Sequence, residues 1–499
     1  MSTTTRRALL LHPADSVALC LEPIAAGERS EAGVTAIEAI PAGHKIALRG
    51  LAPGAAVLKY GQAIGAASQA IAPGQHVHEH NLVPEGAAGG APAAAASMLP
   101  AREACFEGFP RADGRFGTRN FLGVISSVNC SGTAARQIAA RFANRALPGV
   151  DGVAAFTHDS GCGMGAAGEA YEVLARTIAG YARHPNFGGV LLIGLGCEAL
   201  QTERLLREAG LVEGSRLRRL VIQEEGGTRR AIEAGAAIVE ELALEAGRDR
   251  RCAASAAHLT LGLQCGGSDG WSGVTANPAL GRAADLLVAA GGTAILSETP
   301  EIYGAEQLLY ARAASPAVRE ALAARLAWWQ AYAERHQEAL NNNPSPGNRK
   351  GGLTTILEKS LGAVAKSGSS PLTGVFGYAE PITARGLVFM DSPGYDPCSA
   401  TGQMAAGANL LAFTTGRGAV FGAKPAPCLK LASNSALARH MDEDIDVDCS
   451  PVLEGESMEA MGEAIFARLL RLASGEPSKS EEQGFGEHEF VPWRLGAVL

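Results

Sequence analysis

The sequence predicts an α/β protein in which a small all-β domain is joined by a linker to two α/β regions built on parallel sheets. Four apolar runs, at 123–130, 153–162, 189–197 and 259–265, each end in a cysteine. Helical patterns separate the first three runs, and a longer, largely helical stretch precedes the fourth. Continuous apolar runs of strand length between helices are the pattern of strands buried on both faces. Residues 1–82 differ, with short alternating runs broken by Pro-Gly, Ala-Gly and Arg-Gly turns, which is the pattern of a β unit with one wet face.

The elements follow in order. Runs at 16–22, 34–40, 44–48, 56–60 and 75–80 are strands of a domain spanning 1–83. The tract 84–104, with its Gly-Ala-Ala-Gly-Gly-Ala-Pro core, holds too little large apolar surface to fold alone and is a linker. From 105 to 250, strand runs alternate with helices at 133–144 and 169–182, as in βαβ units. From 256 to 499 a second α/β region has strands at 259–264, 292–297, 386–390, 409–414 and 429–432, and an amphipathic helix at 316–340.

Composition narrows the function. A net charge of −8 without runs of Lys or Arg argues against nucleic acid as a partner, and an anionic substrate would need a local cationic pocket. Ten cysteines in 499 residues are too sparse for a secreted disulfide scaffold. No apolar run reaches the length of a membrane span, and the apolar part of the N-terminus is too short for a signal peptide's core. These features predict a cytoplasmic protein with reduced thiols and no membrane partner.

Several side-chain patterns point to a site. Ligands in open α/β sheets collect at the carboxyl ends of the strands, so Cys130, Cys162, Cys197 and Cys265 are expected to gather around one soft-metal centre. His76, His78 and His80 alternate along one strand run and therefore share a face, where imidazoles can ligate a metal or move protons; His44, Lys45, Lys59 and Tyr60 add polar groups to the same domain. Arg111, Arg115 and Arg119 can clamp carboxylates bidentately, or can form an interdomain salt-bridge loop. The turn-rich loops carrying Ser268, Asp269 and Asn277, the run 343–352, and Arg417 are of the polar kind that binds substrate. Glu298 and Glu301 are alternative divalent-cation ligands, or charges at a helix start. Gly163-Met-Gly165-Ala-Ala-Gly168 fits a dinucleotide loop, but Glu198 comes late for a ribose contact, and amides at that helix start suit a carboxylate better.

These residues sit in longer motifs. His-Val-His-Glu-His-Asn at 76–81, Arg-Ala-Asp-Gly-Arg-Phe-Gly-Thr-Arg-Asn at 111–120, Gly-Leu-Gly-Cys-Glu at 194–198 and Cys-Gly-Gly-Ser-Asp-Gly at 265–270 are joined by Thr-Ala-Asn-Pro at 275–278, Glu-Ile-Tyr-Gly-Ala-Glu-Gln at 301–307, Asn-Pro-Ser-Pro-Gly-Asn at 343–348, Glu-Lys-Ser-Leu-Gly at 358–362 and Thr-Gly-Arg-Gly at 415–418. In this series the chain resembles the altronate/galactarate dehydratase family of sugar-acid hydro-lyases. The resemblance implies an N-terminal β-clip domain, a middle α/β domain that dimerises, a Rossmann-like C-terminal domain and dependence on Fe2+. An iron–sulfur cluster or another divalent metal is the alternative. Within the family the substrate stays open among altronate, galactarate and sulfolactate-type acids, and 127–130 and 158–164 depart from the altronate pattern.

The expected reaction is dehydration of a sugar acid such as altronate to a 2-keto-3-deoxy acid. A base, His158 or one of His76, His78 and His80, takes the C2 proton, and a cation stabilises the enediolate. Arg111, Arg115 and Arg119 bind the carboxylate, and the four cysteines bind the metal. The rivals are an NAD-dependent dehydrogenase using Gly163–Gly168 and a non-catalytic sugar-acid binding protein.

Overall fold

The computed structural model describes residues 5–84 and 92–496; the predicted linker's 85–91 tract lies outside them. The N-terminal unit is two small antiparallel sheets, one ordered Ala8–Leu9, Val17–Cys20, Lys45–Ala47, His76–Val77 and the other Ala56–Lys59, Gln62–Ala67, Leu82–Val83. A parallel pair, Thr5–Arg6 with Arg29–Ser30, flanks them.

The middle region is a four-stranded parallel sheet with strand Phe121–Ser126 inside, between Gly152–Phe156 and Phe187–Gly194, and Leu217–Val221 beyond the latter. Alternate side chains explain the unbroken apolar runs. Leu122, Val124, Leu191 and Ile193 pack under helices Asn129–Ala140 and Thr228–Ala246. Phe121, Ile125, Val190 and Leu192 pack under helices Glu169–Ala182 and Thr202–Ala209 on the other face.

The C-terminal region is a seven-stranded, all-parallel sheet ordered Leu372–Phe376, Gly386–Met390, Thr293–Leu296, Thr260–Cys265, Leu410–Thr415, Cys428–Ala432, Val447–Asp448. Strand order reverses between Thr260–Cys265 and Leu410–Thr415, and a crevice for ligands opens at the carboxyl ends of such a pair. The predicted helix at 316–340 starts where Ser315 caps the Val318 amide at 3.3 Å with Pro316 behind it, and ends early, at Arg335.

The two large sheets are not side by side. Helix Glu169–Ala182 of the middle region packs on helix Asp396–Ala406 of the C-terminal region, so close that a Cβ on Gly180 would stand 2.2 Å from the Ala405 carbonyl. These two helices form layers between the sheets. At the amino ends of the strands the regions are stitched by polar bonds: Thr118 Oγ1 donates to the Asn409 carbonyl (2.7 Å) and Asn186 Nδ2 to the Pro425 carbonyl (3.0 Å). The described part of the linker also lies on the C-terminal region, with the Ser97 amide donating to the Ser369 carbonyl and the Arg102 amide to the Ala289 carbonyl. A freely swinging hinge is not what this segment forms.

Candidate active site

Three strand ends supply the first part of the site. Cys265 closes strand Thr260–Cys265, Glu298 and Glu301 follow strand Thr293–Leu296, and Asp396 begins the helix after strand Gly386–Met390. Ligand atoms of Cys265, Glu298 and Glu301 all lie within 4.8 Å of one another, and all three residues are buried. Two ammoniums from helix Ile356–Ala365 and its end face them: Lys366 Nζ is 3.0 Å from Cys265 Sγ and 3.3 Å from a Glu298 oxygen, and Lys359 bonds Glu301. Glu298 holds a left-handed backbone at φ 71°, a strain of the kind found where function over-determines geometry.

The electrostatics are those of a crowded anionic pocket. Burial, then the neighbouring Glu301, pushes the Glu298 carboxyl well above its usual range. Burial and Glu301 push Asp396 up to about 7, and burial pushes the Cys265 thiol up to about 11. Glu298 Oε1 is buried with no hydrogen-bond partner. A divalent cation fits this donor set. The thiolate and three carboxylates carry four negative charges when ionised, Lys359 and Lys366 return two, and a dication supplies the other two while giving the orphaned oxygen a partner.

The second part is a histidine cluster on the N-terminal domain. The rings of His76 and His78 lie 5.4 Å apart between centroids, those of His76 and His80 5.5 Å, and His44 joins them, its Nδ1 3.0 Å from His76 Nε2. The strand itself ends at Val77; His78 and His80 follow in a turn. Burial holds His44 near 4 and His76 near 3, so both are neutral imidazoles at neutral pH. Loop 343–352 separates and links the two parts. His78 Nε2 is 3.0 Å from the Arg349 carbonyl, Asn348 Nδ2 donates to the Ser268 carbonyl (2.8 Å), and Asn343 reaches Glu301 at 3.4 Å. A groove of about 690 Å³ opens beside His44, His78, Arg349 and Lys350.

The structure does not bring the remaining predicted residues into this place. Arg111 is bound to Asp249 at 2.7 Å and to the Pro185 carbonyl, Arg115 to Asp113 and the Arg183 carbonyl, and Arg119 to Glu481 and the Leu472 carbonyl. Arg111 and Arg119 are fully engaged and Arg115 is paired with Asp113 in the salt-bridge loop that joins the regions, so the three form no carboxylate clamp. His158 sits at the end of the middle sheet with both ring nitrogens engaged, by the Ser126 carbonyl (3.1 Å) and the Ser160 amide (3.2 Å), and cannot serve as a free base. The four cysteines divide: Cys130, Cys162 and Cys197 are exposed at the carboxyl ends of the middle sheet, and Cys265 is buried beyond the paired helices. Asp269 accepts from Ser272, Ser433 and Asn434, and Asn277 bonds the Gly362 carbonyl and Thr414; both shape the crevice from behind. Ser268 is buried, its carbonyl fixing Asn348. Arg417 is exposed by Gly347, with no side-chain bond among the described residues. Glu198 accepts from Ser127 Oγ at 2.9 Å and the Gly196 amide at 2.6 Å, which removes it from any ribose contact. The residues sequence reasoning missed are Lys359, Lys366, Asp396 and, as a member of the cluster, His44. Lys359 lies inside a quoted motif, whereas Lys366 leaves no mark in a helical pattern.

Fold and site together define a three-part α/β protein with a buried carboxylate–thiol–ammonium centre at a sheet's switch point. Three family models cover it in order: the altronate/galactarate dehydratase SAF domain over 6–85, the second domain of D-galactarate dehydratase/altronate hydrolase over 108–247, and the D-galactarate/altronate dehydratase C-terminal domain over 256–498. The chain is 36% identical to altronate dehydratase of Escherichia coli (strain K12) over 98% of this chain and 99% of that protein. It is also 36% identical to galactarate dehydratase (L-threo-forming) of the same organism, over 96% of this chain and 95% of that protein. The (2R)-sulfolactate sulfo-lyase of Chromohalobacter salexigens matches as two subunits, beta at 33% over 78% of this chain and 97% of that subunit, alpha at 51% over 9% of this chain and 48% of that subunit. The chain belongs to the altronate/galactarate dehydratase family. Among the described residues no helix is long and apolar enough to cross a membrane.

Proposed function

We propose that this chain is a hydro-lyase that removes water from a polyhydroxy carboxylate, altronate or galactarate or a close stereoisomer, and releases a 2-keto-3-deoxy sugar acid. The observation that carries the reading is the near-full-length similarity to two such dehydratases, coinciding with the buried Cys265–Glu298–Glu301 centre. Removing a proton next to a carboxylate builds negative charge on its oxygens, and the centre answers with fixed positive charge from Lys359 and Lys366. Arg417 has free donors for a bidentate carboxylate contact at the mouth. Asp396, raised to about 7, suits a proton acceptor at C2, and the cluster of His76, His78 and His80 offers polar partners for the departing hydroxyl. Ferrous iron, held by Cys265, Glu298 and Glu301, would supply Lewis-acid polarisation of substrate oxygens.

The same reading takes the N-terminal unit as a β-clip seated on loop 343–352, the last domain as Rossmann-like and the active species as a homodimer. The strand-order reversal beside Cys265 supports the second of these. The deciding experiment is an anaerobic assay with Fe2+ across a panel of aldonates and aldarates, reading 2-keto acid release. Turnover of altronate or galactarate, abolished by Glu298→Gln, is expected. Affinity for sugar acids without keto-acid release would make the chain a binding protein, and hydride transfer to NAD would make it a dehydrogenase.

A further inference from the structure

The middle sheet has its own switch point, and nothing in the reaction above uses it. Strand Phe121–Ser126 is followed in the chain by Gly152–Phe156 on one side and then by Phe187–Gly194 on the other, so a crevice opens at the carboxyl ends of these three neighbours. Each of the three connections leaving those ends carries an exposed, unpaired cysteine within a few residues of its strand: Cys130, Cys162 and Cys197. We propose that these three thiolates form a second site, distinct from the Cys265 centre, that binds a cubane-type iron–sulfur cluster.

The loops are tied together within one or two residues of each sulfur. The Asn129 amide donates to the Ser160 carbonyl at 3.0 Å, and the Ala199 amide to the Gly161 carbonyl at 3.0 Å. Gly161, at φ 93°, lies so close to the first loop that a Cβ would stand 2.3 Å from the Ser127 carbonyl. Buried Glu198 holds the third loop by accepting from Ser127 Oγ and the Gly196 amide. Loops carrying surface cysteines by chance need no such lacing. Cys130 also lies in the first turn of helix Asn129–Ala140, where the backbone dipole favours a negatively charged, thiolate-bound group.

Spacing decides between a single ion and a cluster. A tetrahedral ion with metal–sulfur bonds of about 2.3 Å draws its sulfurs to roughly 4 Å of one another. Among the described residues the one group of three donors all within 4.8 Å of one another is Cys265–Glu298–Glu301, so at least one pair of the three exposed sulfurs stands wider than that. A cluster offers each thiolate a different iron and takes that wider spacing. Three protein sulfurs on a cubane leave one iron open to an oxygen ligand. Assembly consumes no outside oxidant or reductant when equal amounts of ferrous and ferric iron are supplied with sulfide, each thiol releasing its proton as its sulfur bonds iron.

The test is anaerobic reconstitution of the full chain with ferrous and ferric iron and sulfide, followed by iron and acid-labile sulfide analysis and electron paramagnetic resonance after reduction. Wild type should hold labile sulfide and give a cluster signal. Cys130→Ser, Cys162→Ser and Cys197→Ser should each lose at least tenfold in sulfide, while Cys105→Ser, Cys252→Ser and Cys265→Ser keep the wild-type amount. Circular dichroism of the iron-free variants controls for folding; if one unfolds, the other two decide. Iron without labile sulfide, or sulfide retained by the folded variants, overturns the proposal.

Discussion

Buried in the turn after strand Thr260–Cys265, Asp269 accepts from the Ser272 amide and hydroxyl, each at 2.8 Å, from Ser433 Oγ at 2.9 Å and from Asn434 Nδ2 at 2.9 Å. One carboxylate thereby fixes loop 266–273 against the loop after strand Cys428–Ala432. Asp269→Ala leaves these donors facing a void, and unmade buried hydrogen bonds dominate the cost, so a loss of about 3 kcal/mol is expected. Asp269→Asn keeps one acceptor oxygen and should lose less. Urea unfolding of both variants checks the ranking, and equal losses would show that the loop is held elsewhere. Asp269 therefore differs from Arg417, whose guanidinium has no partner among the described residues and stays available to a ligand. A polar residue in a turn-rich loop looks the same in sequence whether its bonds are spent or free.

Among elements, the strand at the histidine cluster offers the sharpest contrast. Val77 is fully buried while His78 turns toward the C-terminal loop and His76 packs against His44. Val77→Ala should cost about 1–3 kcal/mol in stability, whereas His78→Ala should leave the melting temperature nearly unchanged and depress kcat. Equal small effects on both readouts would reduce the cluster to a wet edge. Period-2 alternation makes this face legible in the sequence, although the strand stops at Val77. The parallel strands were legible too, because burial on both faces forces continuous apolar runs. What a run cannot reveal is which sheet it joins. Cys265 ends a strand, and Cys130, Cys162 and Cys197 each follow one within a few residues, yet the strand of Cys265 belongs to a sheet beyond two intervening helices. Nor can the spacing of Arg111, Arg115 and Arg119 show that Asp249 and Glu481 stand opposite, more than a hundred residues along. Short-range pattern encodes an element; long-range pairing decides whether its charges are spent.

Across the whole molecule, two buried polar junctions hold three regions as one. At the first, Glu358 of the C-terminal region receives Lys45 Nζ at 2.9 Å and Lys59 Nζ at 2.8 Å from the N-terminal domain, all three fully buried. The two ammoniums hold its carboxyl far below the usual range despite its burial. Glu358→Gln strands two ammoniums away from water, and breaking a buried ion pair by removing one partner costs about 3–5 kcal/mol. Trypsin should then release the N-terminal domain faster than from wild type; an unchanged digestion pattern would mean that the apolar contacts alone secure the docking.

The second junction joins the amino ends of the two large sheets and carries a pH signature. His184 is buried, its Nε2 2.9 Å from the Ala408 carbonyl and its Nδ1 accepting the Asn186 amide at 3.1 Å. Burial pushes it down to about 3. In the unfolded chain the same imidazole takes a proton near its ordinary value of about 6.5. The unfolded state thus binds more protons between those values, and this residue's contribution to stability falls as pH drops through that window. Several buried carboxyls, Asp396 among them, are shifted upward and act in the opposite sense, so the wild-type curve alone does not isolate the histidine. The comparison with His184→Gln does, because glutamine can keep a polar contact but cannot charge. Between pH 7 and pH 5 wild type should lose about 2 kcal/mol more than the variant, at 1.36 kcal/mol for each pH unit below about 6.5. Urea midpoints measured across that range provide the check. Parallel curves would mean that His184 is protonated in the fold, and the junction between the sheets would then need an anion that the described residues do not place there.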